Sequence, residues 1–158
     1  MAAAADVADL VALRAAVAEK LRSDHGDGPW ARASTEKGVL FDMRNSKVFV
    51  AREAGKLIAS LRLMTKKPWA IDRSHFSPSE RPLYLLSMAV APDLQRQGIG
   101  RRCLEAVREI GRKWPADAIC LDAYAAAGAG GFYAKCGFKE VGRATYRGCP
   151  LAYYELKP

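Results

Sequence analysis

The sequence predicts a single α/β (α+β) domain over residues 1–158, a mixed sheet with helices on its faces. Three observations predict it. The length of 158 residues suits one domain with a core of its own. The apolar period switches from helical to strand-like near residue 47 and back again near 99. The resulting order is α, α, β-hairpin, β, α, β, α, β, β, with no internal repeat.

Val7, Leu10, Val11, Leu13, Val17 and Leu21 recur at near-helical spacing, and Asp6 and Asp9 suit the positive end of a helix dipole. Gly26, Gly28 and Pro29 end that helix. Ser34, Glu36 and Lys37 open a second helix that runs to about 45. Residues 47–53 and 56–64 read as strands joined by a tight turn at Ala54-Gly55. Residues 65–82 form a long loop punctuated by Pro68, Ser74, Pro78 and Pro82, with Trp69 and Phe76 between them. Residues 83–90 are apolar enough for a strand covered on both faces, and Pro92 ends it. Ile99, Cys103, Ala106, Val107 and Ile110 return to helical spacing before Pro115. A strand over 118–122, a short helix over 128–135 with Gly137 at its cap, and strands over 138–146 and 151–156 complete the chain.

Charge and composition narrow the function. The net charge of +8 invites an anionic partner without naming one. With 50% hydrophobic residues the chain is neither a disordered tail nor a collagen. The start of the sequence lacks the basic segment of a signal peptide, and no apolar run approaches membrane-spanning length. A cytoplasmic protein with no membrane partner is expected. Cys103, Cys120, Cys136 and Cys149 form no CxxC pair, and His25 and His75 lie far from them in sequence, so no metal site is expected.

The chemistry concentrates in Val90-Ala-Pro-Asp-Leu-Gln-Arg-Gln-Gly-Ile-Gly-Arg-Arg102. A strand ends, the chain turns, and a helix opens on glycines flanked by arginines. Helix N-termini present unpaired N–H groups and a partial positive charge, and glycines let a ligand come close. That combination is a phosphate site. The third glycine of a dinucleotide fingerprint is missing, and a P-loop is absent. The pattern that fits is [QR]-x-x-G-x-[GA], carried by Gln95, Gly98 and Gly100 behind Val90 and Pro92.

This motif, the block Ala129-Gly-Gly-Phe-Tyr-Ala-Lys-Cys-Gly-Phe138 about 30 residues later, and the element order together resemble the GNAT superfamily of acyl-CoA N-acyltransferases. The resemblance covers most of the chain and is strongest over 83–156. It implies a mostly antiparallel central sheet with helices on both faces. It implies transfer of an acetyl group from acetyl-CoA, the co-substrate, to a primary amine of a small molecule or peptide, with a homodimer compatible. Met88, Ala89 and Val90 would bind the pantetheine arm through their backbone. Gln95, Arg96, Gln97, Gly98, Ile99, Gly100, Arg101 and Arg102 would hold the pyrophosphate, and Phe132 and Tyr133 would also border the cofactor. Tyr133 matches the family's general acid, and its ring would also pack beside Phe132 and Phe138. Ordinary pKa values of about 10 for a phenol and about 8.5 for a thiol make full proton transfer uphill by about 2 kcal/mol, which a moderate shift or a late shared proton removes.

The base is less sharply marked. Asp122 is the nearest carboxylate by sequence logic, and Ser87 could hold a water instead. Ala126 stands where the family often has Asn, and residues 125–131 are unusually small. Lys139 and Arg143 read as solvated, Cys136 as inert, and Trp30 and Trp69 as packing residues that could alternatively line an acceptor pocket. The alternative function is a non-catalytic CoA-binding or basic interaction protein. Nucleic acid is not expected as a partner, because the basic residues are scattered rather than arrayed in a stripe.

Overall fold

The computed structural model describes every residue except Trp30, Ala31, Ala33 and Ala70. In chain order the elements are α1 (Val7–His25), α2 (Glu36–Asn45), β1 (Lys47–Glu53), β2 (Lys56–Met64), β3 (Pro82–Val90), α3 (Ile99–Lys113), β4 (Ala118–Tyr124), α4 (Gly130–Lys135), β5 (Lys139–Tyr146) and β6 (Cys149–Leu156). The six strands are ordered β1-β2-β3-β4-β6-β5. By its contacts the chain divides into Met1–Leu63 with Ser87–Cys103, and Met64–Leu86 with Leu104–Pro158.

In the first unit, β1 and β2 pair antiparallel from Lys47↔Leu63 to Glu53↔Lys56. Ala54 (φ 47°) and Gly55 (φ 80°) are both left-handed, the turn whose twist matches a two-residue hairpin. Leu10, Leu13, Val39, Val48, Leu57 and Ala89 form the core here. Thr35, not Ser34, caps α2, its hydroxyl accepting from the Gly38 N–H at 3.1 Å. A nearly buried ion triad ties three elements together. The Asp42 carboxylate of α2 accepts from Arg14 of α1 at 2.8 Å and is ion-paired with Arg62 of β2 at 2.8 Å.

In the second unit, β4 pairs with β6 from Ile119↔Leu156 to Tyr124↔Leu151, and β5 pairs with β6 in a hairpin closed by Arg147 and Gly148. Residues Pro82, Leu83 and Tyr84 of β3 run parallel to Ala118, Ile119 and Cys120 of β4. Ile71, Tyr84, Cys120, Leu151 and Tyr153 are the buried center, with Phe76 packed on them. The Asp117 carboxylate holds the loop before β3 by accepting from the Glu80 and Arg81 N–H groups.

Several boundaries differ from expectation; β4, for one, runs on to Tyr124, and β5 begins at Lys139. β3 begins at Pro82, so the loop before it is shorter and carries a 3-10 turn at Arg73–His75. Residues Ala125–Ala127 form a 3-10 turn, and α4 starts only at Gly130. Pro150 lies inside β6 opposite Thr145, which lengthens the last strand. The expected cover on both faces of β3 holds from Pro82 to Leu85, whereas Ser87 is exposed. At Ser87 the strand takes a left-handed backbone (φ 48°), a local break in its pleat.

Candidate active site

The glycine loop of the first unit is shaped by its own side chains. After β3, Pro92–Leu94 makes a 3-10 turn and Gln95 is extended. The Gln95 side chain donates to the Val90 carbonyl at 3.2 Å, and Gln97 donates to the Asp93 carbonyl at 3.2 Å. Arg96 (φ 64°) and Gly98 (φ 82°) both take left-handed backbones, so two sharp turns precede the helix. The Arg102 N–H bonds the Gly98 carbonyl at 3.0 Å, closing the first turn of α3. The N–H groups of Ile99, Gly100 and Arg101 therefore precede the ladder and have no intrahelical acceptor.

Gly98 serves this loop in two ways. Its φ is one that side-chain-bearing residues rarely adopt, and a Cβ built there meets nothing within 4 Å. The space beside Gly98 at the mouth of the helix is thus open. The side chain of Ile99 faces the other way and is buried with Ile58 and Ala59, which pins the helix start. Of the predicted cofactor residues, Ile99 has only its N–H to offer. Arg96, Arg101 and Arg102 are exposed, and among the described residues none has a carboxylate within ion-pair distance. A helix terminus with open amides and three uncommitted guanidiniums suits a polyphosphate. Met88 and Val90 are partly exposed on the strand entering the loop and Ala89 is buried.

The second unit holds the titratable pair. Tyr133 on α4 lies edge-on to Phe132 at 5.3 Å and to Phe138 at 5.8 Å, with Tyr154 tilted at 5.2 Å. The expected ring packing is therefore present. Burial pushes the Tyr133 phenol well above its ordinary pKa, and the Asp122 charge adds to this. A shift toward easier release is thus not what the site provides. Burial likewise raises the Asp122 carboxyl. The Tyr154 hydroxyl donates to Glu140 at 3.3 Å.

The small segment before Tyr133 has a local cause. A Cβ on Gly130 would stand 2.6 Å from the Tyr154 hydroxyl oxygen, so a side chain there would have to displace that hydroxyl. Arg143 pairs with Glu140 at 2.6 Å on the surface and is solvated as expected. Cys136 is partly buried. Among the described residues no group of three or more His, Cys, Asp or Glu side chains could hold a metal ion, and no helix is long and apolar enough to cross a membrane.

Trp69 departs from the expected packing role. It is 70% exposed, stands edge-on to Tyr146 at 5.1 Å, and lies under the Arg147 guanidinium at 4.8 Å. Sequence reasoning did not single out Arg147. Its signal was an Arg-Gly pair between two strands, a hairpin tip that exposes its first residue. Trp30 lies outside the described residues.

A strand that feeds an arginine-rich helix start in an α/β fold is an arrangement suited to a phosphorylated ligand. A family model described as an acetyltransferase (GNAT) domain matches residues 44–140. The chain belongs to the GNAT acetyltransferase family. Among solved structures, it is similar to a GNAT-family acetyltransferase from Streptococcus agalactiae 2603 (TM-score 0.80, 14% identity, 100% of this chain and 93% of that one). It is similar also to a ribosomal-protein-alanine N-acetyltransferase from Brucella melitensis (TM-score 0.73, 20% identity, 99% and 97%). A third likeness is to an N-acetyltransferase from Thermoplasma acidophilum in complex with coenzyme A (TM-score 0.74, 18% identity, 99% and 96%). Comparison with curated proteins found no matching relative.

Proposed function

We propose that this protein is an N-acetyltransferase that moves an acetyl group from acetyl-CoA to a primary amine of a small molecule or peptide. The observation that carries this reading is the loop from Gln95 to Ile99, where two left-handed residues lead into α3, whose first three N–H groups have no intrahelical acceptor, with open space beside Gly98. Those amides and Arg96, Arg101 and Arg102 would take the pyrophosphate. Backbone groups of Met88, Ala89 and Val90 would take the pantetheine arm, as family resemblance implies, and Phe132 would border the cofactor beside Tyr133. Complexes of family neighbours with coenzyme A support the assignment.

The reaction balances as a direct displacement. The neutral amine attacks the thioester carbonyl, and a C–N bond forms as the C–S bond breaks through a tetrahedral oxyanion. One amine proton leaves to a base, for which Asp122 is the candidate. An alkylammonium of pKa near 10.4 needs roughly 4.6 kcal/mol to give up its proton at pH 7. A carboxylate whose own pKa is raised by burial is a better acceptor for it than an ordinary one. The departing sulfur takes a proton from Tyr133. Because that phenol is raised, its proton moves late, as negative charge gathers on sulfur. Tyr133 thus acts as a hydrogen-bond donor that completes transfer only when C–S cleavage is advanced.

The test is thiol release from acetyl-CoA in the presence of a panel of primary amines and peptides. Tyr133→Phe should lower turnover by about 10²-fold or more while leaving CoA affinity within about twofold. An unchanged rate removes Tyr133 from the mechanism, and no thiol release with any amine overturns the reading.

A further inference from the structure

The second unit contains an open cavity of about 600 Å³ walled by Lys67, Trp69, Ile71, Asp72, Tyr146 and Tyr153 among others. The Arg147 guanidinium lies over two of its aromatic walls, 4.8 Å from the Trp69 centroid and 5.6 Å from that of Tyr146. Packing alone does not explain an indole left 70% exposed at a cavity rim with an arginine on its face. Stacking of this kind orients a guanidinium and leaves its edge donors free. Among the described residues no carboxylate lies within ion-pair distance of Arg147 or Lys67.

The single acid in the wall is already engaged. Asp72 accepts from the Ser74 N–H at 2.9 Å and from its hydroxyl at 2.8 Å. Lys67 donates to the carbonyls of Pro68 at 3.1 Å and Ile71 at 2.8 Å, which fixes its ammonium at the wall. Arg73 also lines the wall, donating to the Ser79 carbonyl at 2.8 Å, so the cavity is aromatic in body and its cations, with Arg147 above it, outnumber its one carboxylate.

The cavity also has a chemical landmark. Tyr153 is the register partner of Asp122 across β4 and β6, so the two side chains share one face of the sheet. From Tyr153 to Cys149, beside the hairpin tip, is four residues of strand, roughly 13 Å. A free amino acid separates its amine and carboxylate by far less than this. A peptide with an acidic side chain two positions after its amino terminus spans it.

We propose that this cavity binds the acceptor, and that the acceptor is a peptide amino terminus followed by an apolar or aromatic residue and then an acidic one. The amine lies toward Asp122, the apolar side chain against Trp69, Tyr146 and Tyr153, and the carboxylate on Arg147 with Lys67. This assignment rests on the acetyl-transfer reading but is separable from it.

The experiment uses the full chain and two C-terminally amidated probes, Ala-Phe-Glu and Ala-Phe-Gln, with saturating acetyl-CoA. Wild type should favour the Glu probe by about three- to tenfold in kcat/KM, expressed in KM, as one partly exposed charge-assisted contact warrants. Arg147→Gln should erase that preference, bringing the Glu probe down to the level of the Gln probe, with CoA affinity unchanged. Equal kcat/KM for both probes in wild type, or a preference that survives Arg147→Gln, overturns the proposal. If neither probe releases thiol, calorimetric binding of the same probes decides. Binding of Ala-Phe-Glu that Arg147→Gln weakens by a similar three- to tenfold upholds the anion-binding pocket and sinks acetyl transfer to it, whereas no binding, or binding that Arg147→Gln leaves unchanged, sinks the pocket.

Discussion

Gly98 and Asp122 show how one residue's backbone or burial sets what it can do. At φ 82° a β-branched side chain is strained, and its methyls would enter the space at the mouth of the helix. Gly98→Val should weaken CoA binding at least tenfold by calorimetry, and undiminished affinity would reject the loop as the phosphate site. Asp122 is a carboxylate held above its ordinary pKa by burial. The folded state thus binds its proton more firmly than the unfolded chain does. The stability that this proton confers is complete below the ordinary carboxylate pKa of about 3.9 and is lost as pH rises through the raised folded value. Asp122→Asn carries no charge at any pH. Its Tm relative to wild type should therefore rise between acid and neutral pH, and a pH-independent difference would count against the burial of this carboxyl.

At the scale of elements, the first unit depends on a charged staple rather than on apolar contact alone. Arg14, Asp42 and Arg62 are 14%, 15% and 14% exposed, so one carboxylate serves two nearly buried cations. Burial lowers the Arg62 pKa, Asp42 opposes that, and Arg14 adds to it. Two Arg14 nitrogens, Nε and one Nη, have no hydrogen-bond partner. Removing the shared acid leaves two desolvated guanidiniums facing each other. Asp42→Ala should cost about 3–5 kcal/mol by urea unfolding. Adding Arg14→Met should recover part of this, and full additivity of the two losses would show that the charges are not coupled. The sequence pattern did not reveal the triad, because its members lie on three elements and each looks like an ordinary solvated residue. The same holds for Gly130, whose need appears only when Tyr154 arrives from β6.

At the scale of the whole molecule, the charge of +8 is a field as well as a set of contacts. Arg96, Arg101 and Arg102 lie on the surface, so their attraction for a phosphorylated ligand is screened by salt. CoA at a hundred times its Kd should stabilise the protein by about 2.7 kcal/mol, read as a higher Tm. That shift at fixed CoA should shrink as sodium chloride rises from 50 to 500 mM. A shift indifferent to salt would mean that the arginines do not meet the phosphates.

The sequence by itself determined the order of helices and strands, because period and punctuation are local properties. It also determined the glycine loop, since turn, amides and arginines occupy consecutive positions. Tyr133 could be proposed from the sequence for a similar reason, because it stands within a compact motif. Tertiary structure alone decided what surrounds those groups. That Tyr133 is raised rather than lowered depends first on burial, which packing from distant segments supplies, and then on the charges of Asp122 and Tyr154 from β4 and β6. That Trp69 stands exposed under Arg147 depends on a loop meeting a hairpin tip about 80 residues later. Period and motif are written along the chain, whereas desolvation, charge pairing and cavity walls arise only when distant segments share a volume.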